Sequence, residues 1–328
     1  MTDDWVEKYL NAVHGSTPGE IDGLFRVEST HNTKIAKHVV STSLFCKPAF
    51  KKDEDFPPMT RELMQDSSKE VLRSRFKNPW AHYFLPILVG SKELLTRRPD
   101  IAFRVYLAKD LEFLVPELVS AGCEVFLMAT SSIRHNPGAM WRFLAMEEDC
   151  LVTITDSDRA CEVIHDVERT EEVAKSPLSY WRVPYFIGAD DDKIGSPGRY
   201  RTTLACQFGA TSSLPIRLLA ESFVWNILNS DFSITCKVGK REIPIFGSEW
   251  PSYGFDEFFL NTVVFPRIAT RGVVTFVPWD GGALGPVPLN HWFALDIEYC
   301  TWANRKSEIV FFGNSELEQA ELCRSDVP

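Results

Sequence analysis

Short apolar runs alternate with stretches of helical spacing over residues 37–155. The run KHVVSTSLF at 37–45 is rich in apolar and β-branched residues, which predicts a buried strand. The same reasoning predicts strands at 102–107, 124–129 and 151–155, and the spacing between them predicts helices at 61–75, 80–95, 111–121 and 138–146. Strands that alternate with helices of about ten residues predict crossover connections and a mainly parallel sheet.

The pattern after residue 160 is less regular. It predicts an apolar helix at 214–228, a hairpin around Gly239, a helical segment at 255–265 and a strand at 273–277. We therefore divide the chain into an N-terminal extension, a first half and a second half, covering residues 1–36, 37–160 and 161–328. Nothing near that division has the composition of a linker, so we expect one compact unit with two lobes.

Composition and charge narrow the classes of function that the chain could have. The chain has 328 residues, of which 45% are hydrophobic and 24% are charged, as in an ordinary globular protein rather than a disordered or repetitive one. The formal net charge is −10. Broad docking on nucleic acid or on an anionic membrane depends on clustered Lys and Arg, so this charge argues against both and leaves room only for a local basic groove.

The absence of recognisable targeting signals, together with the cysteine pattern, predicts a cytoplasmic protein. No stretch reaches the roughly 18–20 apolar residues that span a bilayer, and the acidic start MTDDW lacks the order of a signal peptide. The eight cysteines include no Cys-x-x-Cys pair. They are typical of thiols in a reducing compartment rather than of a disulfide framework or a zinc site.

The sequence TDSDR places Asp156 and Asp158 directly after the predicted strand at 151–155. Ligands of parallel sheets bind at the carboxyl ends of the strands. Two carboxylates at such an end can face one cleft, and Mg²⁺ and Mn²⁺ prefer oxygen ligands of this kind. A cation held there would neutralise a diphosphate. The alternative is an ordinary turn, since the Asp-x-Asp pattern is short.

The order of elements around this motif strengthens the first interpretation. The helical run MWRFLAM, the acidic connector EEDC and the strand LVTIT precede Asp156-Ser157-Asp158-Arg159. This order resembles the nucleotide-sugar-dependent glycosyltransferases of the GT-A fold, whose glycogenin-like and galactosyltransferase-like members carry an aromatic-x-Arg helix before a metal-binding Asp-x-Asp. Residues 37–160 also look like a bacterial and viral group within that fold, and 247–280 are similar more loosely.

The resemblance implies an α/β, GT-A-like (Rossmann-like) fold with a mainly parallel central sheet flanked by helices and a less regular acceptor-side lobe. It implies a metal-dependent enzyme that moves a sugar from a nucleotide-diphosphate donor, with a UDP-sugar favoured, to a carbohydrate or other hydroxyl acceptor. The implied cofactor is Mn²⁺ or Mg²⁺.

On the donor side, the resemblance assigns the metal and the diphosphate to Asp156 and Asp158, and the donor sugar or its phosphate to Arg142. Phe45 and Asp110 would line the nucleoside pocket. Each has a structural alternative: Arg142 could pair with a glutamate of its own helix (Glu147 or Glu148), Phe45 could be a core aromatic, and Asp110 could be an N-cap.

Three further places carry candidate residues. Asp256, and second to it Glu257, would be the general base that removes the acceptor proton, the alternative being a helix-capping role. His291 follows a Gly/Pro-rich loop and could complete the metal site. Arg134 follows a predicted strand at the ligand edge and could bind diphosphate or sugar hydroxyls.

Two other functions remain open. A haloacid-dehalogenase-like phosphatase also places Asp-x-Asp after an apolar strand, but its nucleophile comes early in the fold and is usually followed by Thr, whereas Arg159 and Ala160 follow here. A non-catalytic nucleotide-sugar-binding relative would keep the fold without the activity.

Overall fold

The structure is a computed structural model, and it divides the chain into two compact units. The first unit comprises Glu20–Glu168 with Ser213–Arg217, and the second takes the rest of the chain. The structure describes residues 24–45, 59–66, 78–130, 138–173, 178–180, 205–206, 208–211, 213–228, 234–238, 241–246, 256, 259–264, 273–276 and 308–311.

A five-stranded sheet forms the centre of the first unit. Its strands, in chain order, are β1 (Val27–His31), β2 (His38–Leu44), β3 (Ala102–Leu107), β4 (Glu124–Met128) and β5 (Leu151–Ile154). Their spatial order is β1-β4-β3-β2-β5, in which the last four strands are parallel and β1 is antiparallel to β4. The predicted α/β class with a mainly parallel sheet is confirmed.

The core of the first unit lies around the central strands β2 and β3. Every residue of β2 and β3 is buried. Strands of a parallel sheet are covered by helices on both faces, so they read as continuous apolar runs instead of alternating ones. This burial is why the sequence pattern identified them.

The predicted helical stretches of the first unit combine α-helices with π-helical and 3₁₀ segments. A π-helical turn, Trp80–Phe84, leads into the α-helix Leu85–Arg97, and the 3₁₀ helix Lys109–Leu114 leads into the α-helix Val115–Ser120. The other described helices that begin in this unit are Arg61–Gln65, Gly138–Trp141, the 3₁₀ helices Arg142–Glu147 and Ser157–Glu162, and Val163–Val173. Gly122, with φ of 89°, follows Val115–Ser120 as the predicted left-handed residue. No helix in the described ranges has both the length and the apolar character of a membrane span.

Strand β1 lies inside the segment predicted as an N-terminal extension. Its residues alternate between half-buried and exposed, as suits the edge of the sheet. The sequence VESTH has only one strongly apolar residue, so its pattern gave no strand signal. The indole Nε1 of Trp141 also donates to the carbonyl of Leu24 at 2.8 Å, which ties the chain just before β1 to the unit.

The second unit contains six further described strands. β6 (Leu178–Tyr180), β7 (Phe208–Ala210), β10 (Val273–Phe276) and β11 (Glu308–Phe311) lie in the order β7-β6-β10-β11, with β7 antiparallel to β6 and the others parallel. β8 (Ile234–Val238) and β9 (Arg241–Phe246) form the predicted antiparallel hairpin. The described helices here include Ile216–Leu228, which confirms the predicted apolar helix, and the π-helical turn Leu260–Val264.

A close backbone contact fixes the chain just after β5. Gly90, in the helix Leu85–Arg97, packs against the short helix Ser157–Glu162, so that a Cβ atom built on Gly90 would lie 1.8 Å from the carbonyl oxygen of Ala160. A real Cβ cannot approach an oxygen so closely, so only glycine fits unless the two helices separate. The helix against which Gly90 packs carries Asp158.

We expect the substitution Gly90→Ala to destabilise the protein by about 1–3 kcal/mol, as overpacking does. Within an exposed helix the same change stabilises by about 1 kcal/mol, so the sign of the effect is diagnostic. Urea unfolding followed by circular dichroism measures it. Val89→Ala is the matched control, because Val89 is 55% exposed on the same helix and its change should stay within about 0.5 kcal/mol. A Gly90→Ala variant as stable as the wild type would contradict the contact.

Candidate functional site

The strand order of the first unit creates a topological switch point. The chain builds β2, β3 and β4 outward in one direction and then returns to place β5 on the other side of β2. Crossovers on the two sides of such a point diverge, which opens a crevice at the carboxyl ends of the two strands. The described residues immediately after β2 and β5 include Phe45 and Asp156, two of the predicted site residues.

Arg142 and Asp156 form an ion pair at this edge. Arg142 Nη1 donates to Asp156 Oδ1, and the side chains are 8% and 33% exposed. Asp156 occupies the N-cap position of the helix Ser157–Glu162 but makes no side-chain capping bond. An N-cap aspartate ordinarily accepts from the backbone of its own helix, so the carboxylate is committed to Arg142 instead. Of the two glutamates proposed as alternative partners of Arg142, Glu148 forms an ion pair with Arg104, and Glu147 accepts from the backbone N–H of Arg217.

The start of the Arg142 helix is tied to the neighbouring strand. Ser41, in the middle of β2, donates from its Oγ to the carbonyl oxygen of Arg142 at 2.7 Å, and this bond is buried. A buried hydrogen bond has no competing water, so it restricts how far the helix can move relative to the strand. The guanidinium group therefore projects from a backbone position that β2 itself defines.

Phe45 lies against the same helical segment. Its ring meets the Trp141 ring edge-on, with centroids 6.2 Å apart and planes at 70°. A Cβ on Gly138 would lie 2.4 Å from Phe45 Cγ, so the absence of a side chain at 138 makes room for the ring. Trp141 is fully buried whereas Phe45 is half-buried. Phe45 thus combines the predicted position at the ligand edge with the alternative packing role.

A buried charge cluster holds the far end of the Arg142 helix. Arg104, on β3, donates from Nε to Glu124 Oε2 at 3.0 Å and forms a two-pronged ion pair with Glu148, the residue after the helix. Arg104 is 4% exposed and Glu124 is fully buried. The second carboxylate oxygen of Glu124 accepts from the backbone N–H of Lys34 at 2.7 Å, so both of its oxygens have partners. Well-partnered burial of this kind is what makes a buried charge tolerable.

The electrostatics of the cluster keep Arg104 charged. Burial by itself would lower the pKa of Arg104, but nearby Tyr106, Glu148 and Glu124 raise it above its ordinary value. Burial raises the pKa of Tyr106, although Arg104 opposes that shift. Both groups therefore keep one protonation state across the physiological range. The cluster acts as a fixed charged anchor and not as a titrating group.

Asp158 lies in the first turn of the helix Ser157–Glu162 and is half-buried. The strand exit before it is fixed by Thr155, whose Oγ1 donates to Asp166 Oδ2 at 3.0 Å with both residues fully buried. Arg159 forms an ion pair with Glu162 on the same short helix. The Asp-x-Asp segment is therefore held from the sheet side, by Thr155, and from the helix Leu85–Arg97, by Gly90.

A metal ion at this edge would find few protein ligands. Within the ranges that the structure describes, no group of three or more His, Cys, Asp or Glu side chains is arranged to hold one. Asp156 Oδ2 has no protein partner there, so one half-exposed carboxylate oxygen is available. Mg²⁺ and Mn²⁺ are commonly held by one or two carboxylates together with substrate phosphates. The donor set of Asp156 and Asp158 fits that mode, and it does not fit a cage made of protein alone.

The remaining predicted site residues lie in other helices or outside the described residues. Asp110 is half-buried in the first turn of the helix Lys109–Leu114, whose N-cap is Ala108, so it is not the N-cap. Asp256 is half-buried and helical, and it belongs to the second unit. Three predicted residues lie outside the described residues: Arg134, Glu257 and His291.

The sequence pattern did not identify the residues that support the Arg142–Asp156 ion pair. Ser41 and Arg104 lie within predicted strands, where a polar residue among apolar neighbours is the available signal. Asp166 lies in an amphipathic helical stretch that resembles a solvated face. A buried carboxylate there could be identified only once its strand partner was known.

Comparison with known proteins adds no relative. No protein-family model matches the chain, and a search of curated proteins finds no significant match.

The Arg104 cluster yields a stability prediction. Replacing Arg104 with Met leaves the fully buried Glu124 without its cation, and breaking a buried pair costs about 3–5 kcal/mol. We expect chemical denaturation to show a loss of that size. Arg98→Met is the matched control, because the partner of Arg98, Asp100, is 63% exposed and such surface pairs contribute about 0–1 kcal/mol. Equal losses in the two variants would show that Arg104 is not an anchor.

Proposed function

We propose that this protein is a metal-dependent glycosyltransferase of GT-A-like fold that moves a sugar from a nucleotide-diphosphate donor to a hydroxyl acceptor. The observation that carries the proposal is the Arg142–Asp156 ion pair beside the switch point between β2 and β5. It puts a guanidinium group and a carboxylate, the complements of a phosphate and a divalent cation, where α/β sheets bind nucleotides.

A cation is part of the proposal because the leaving group would be a diphosphate. In the proposed reaction, the acceptor oxygen bonds to the anomeric carbon of the sugar while the bond from that carbon to the diphosphate breaks. The nucleoside diphosphate leaves with the electron pair, and the acceptor proton passes to a base, for which Asp256 is the prediction. A divalent cation would supply electrostatic stabilisation of the leaving diphosphate.

The residues of this chain contribute position and charge. Asp156 and Asp158 would hold the cation, and Arg142 would add positive charge beside the diphosphate from a helix fixed at both ends. Phe45 would border the nucleoside. Packing fixes the backbone positions that carry these groups before any ligand binds.

The phosphatase alternative is less consistent with the ion pair. A haloacid-dehalogenase-like phosphatase uses the first aspartate of its Asp-x-Asp as the nucleophile. In this chain Asp156 is the first aspartate, and its Oδ1 accepts from Arg142. A guanidinium hydrogen bond draws electron density from a carboxylate, which suits a charge-balancing role better than nucleophilic attack.

Thermal shift assays with UDP-, GDP- and dTDP-sugars, each with and without Mn²⁺, test the proposal. We expect one nucleotide to raise the melting temperature only when Mn²⁺ is present, because a ligand that binds the folded state alone stabilises it. The same donor should be turned over to free nucleoside diphosphate in the presence of acceptor mixtures.

Asp158→Ala removes one proposed cation ligand and should abolish the Mn²⁺-dependent shift while the protein stays folded. Cys161→Ala, an exposed position on the same short helix, is the matched control and should retain the full shift. An Asp158→Ala variant with the wild-type shift would overturn the cation assignment. Stabilisation without turnover would leave a nucleotide-sugar-binding protein.

A further inference from the structure

The Arg142–Asp156 ion pair disfavours binding of either proposed ligand, the cation or the diphosphate, in the absence of the other. A cation that binds Asp156 comes close to the guanidinium group of Arg142, which carries the same sign of charge. Arg142 is nearly buried, so water screens this repulsion only weakly. A cation alone therefore meets a carboxylate that is already neutralised.

A phosphate faces the converse problem. The positive charge of Arg142 is already balanced by Asp156, and the carboxylate repels an incoming anion. A phosphate alone has to displace Asp156 from a charge-assisted hydrogen bond. Either ligand, bound alone, therefore weakens or displaces the Arg142–Asp156 interaction that the unliganded site already makes.

Both costs disappear when the ligands arrive together. A cation can take up Asp156 while a phosphate oxygen takes the place of that carboxylate at Arg142, so that every charge keeps a partner. A buried arginine needs such a partner in every state of the site, since an unpaired buried charge is strongly unfavourable.

We propose that the Arg142–Asp156 pair couples cation binding to diphosphate binding, by exchanging Asp156 for phosphate as the counterion of Arg142. This inference rests on the proposed function, because it concerns the same cation and diphosphate. It goes beyond that function in assigning Arg142 and Asp156 a shared energetic role and not two separate contacts. Coupling is reciprocal: each ligand must raise the affinity for the other by the same factor.

Isothermal titration calorimetry on the full chain measures the coupling without any turnover. Mn²⁺ is titrated with and without saturating UDP, and UDP with and without saturating Mn²⁺, with Mn²⁺–UDP association in buffer subtracted. We expect the wild-type protein to show a coupling factor of about tenfold or more, within the usual range for coupled sites.

Substitution of Arg142 separates this mechanism from simple bridging of a phosphate by a metal. In Arg142→Gln we expect Mn²⁺ alone to bind several-fold more tightly than in the wild type, because the competing cation is gone, and the coupling factor to fall several-fold. Simple bridging predicts unchanged Mn²⁺ affinity and unchanged coupling. Arg98→Gln is the charge-matched control: Arg98 pairs with Asp100 just before β3, at the opposite edge of the sheet, and its variant should behave as the wild type.

Asp156→Asn provides a second test, independent of whether Arg142→Gln folds. Because the neutral amide no longer balances the charge of Arg142 or repels an anion, UDP without Mn²⁺ should bind several-fold more tightly than to the wild type. Unchanged UDP affinity in this variant, or unchanged Mn²⁺ affinity and coupling in Arg142→Gln, would overturn the exchange while leaving the proposed function standing. If the wild-type protein binds neither UDP nor its GDP and dTDP counterparts, the proposed function fails, and the exchange fails with it.

Discussion

The structure of the sheet edge where β2 and β5 end depends on the need of one nearly buried guanidinium group for a counter-charge. Arg142 is 8% exposed, and its ion-pair partner Asp156 comes from the end of β5, fourteen positions further along the chain. An unpaired charge in that place would be strongly unfavourable, so the helix that carries Arg142 and the strand exit that carries Asp156 must be held together. The described surroundings of the pair meet that requirement.

The Arg142–Asp156 ion pair is supported by contacts at both ends of the Arg142 helix and on both sides of the chain that leaves β5. Ser41 holds the beginning of the helix against β2, and Arg104 holds its end through Glu148. Thr155 and Gly90 restrain the chain around the Asp-x-Asp segment. Groups positioned in this way are oriented before a ligand arrives, which is the arrangement that electrostatic stabilisation of a leaving diphosphate requires.

The sheet and the position of Asp156 follow from the sequence pattern, whereas the side chains that pair with Asp156 and support it do not. Fully buried parallel strands are visible as apolar runs, and the first residues after them must lie at the ligand edge, so β2, β5 and Asp156 were predictable. β1 was not, because half-exposed edge strands carry little apolar signal. Neither the Arg142–Asp156 pair nor the Arg104 cluster could be predicted, because each depends on the helix crossing and the strand register that bring distant residues together.

The most direct test of the proposed site is a crystal structure of the protein with UDP and Mn²⁺, in which anomalous scattering locates the metal. We expect a manganese peak in contact with an oxygen of Asp156 or Asp158, with the diphosphate in hydrogen-bond contact with Arg142. A manganese ion or diphosphate bound elsewhere, with the Arg142–Asp156 pair unchanged, would contradict the proposed site.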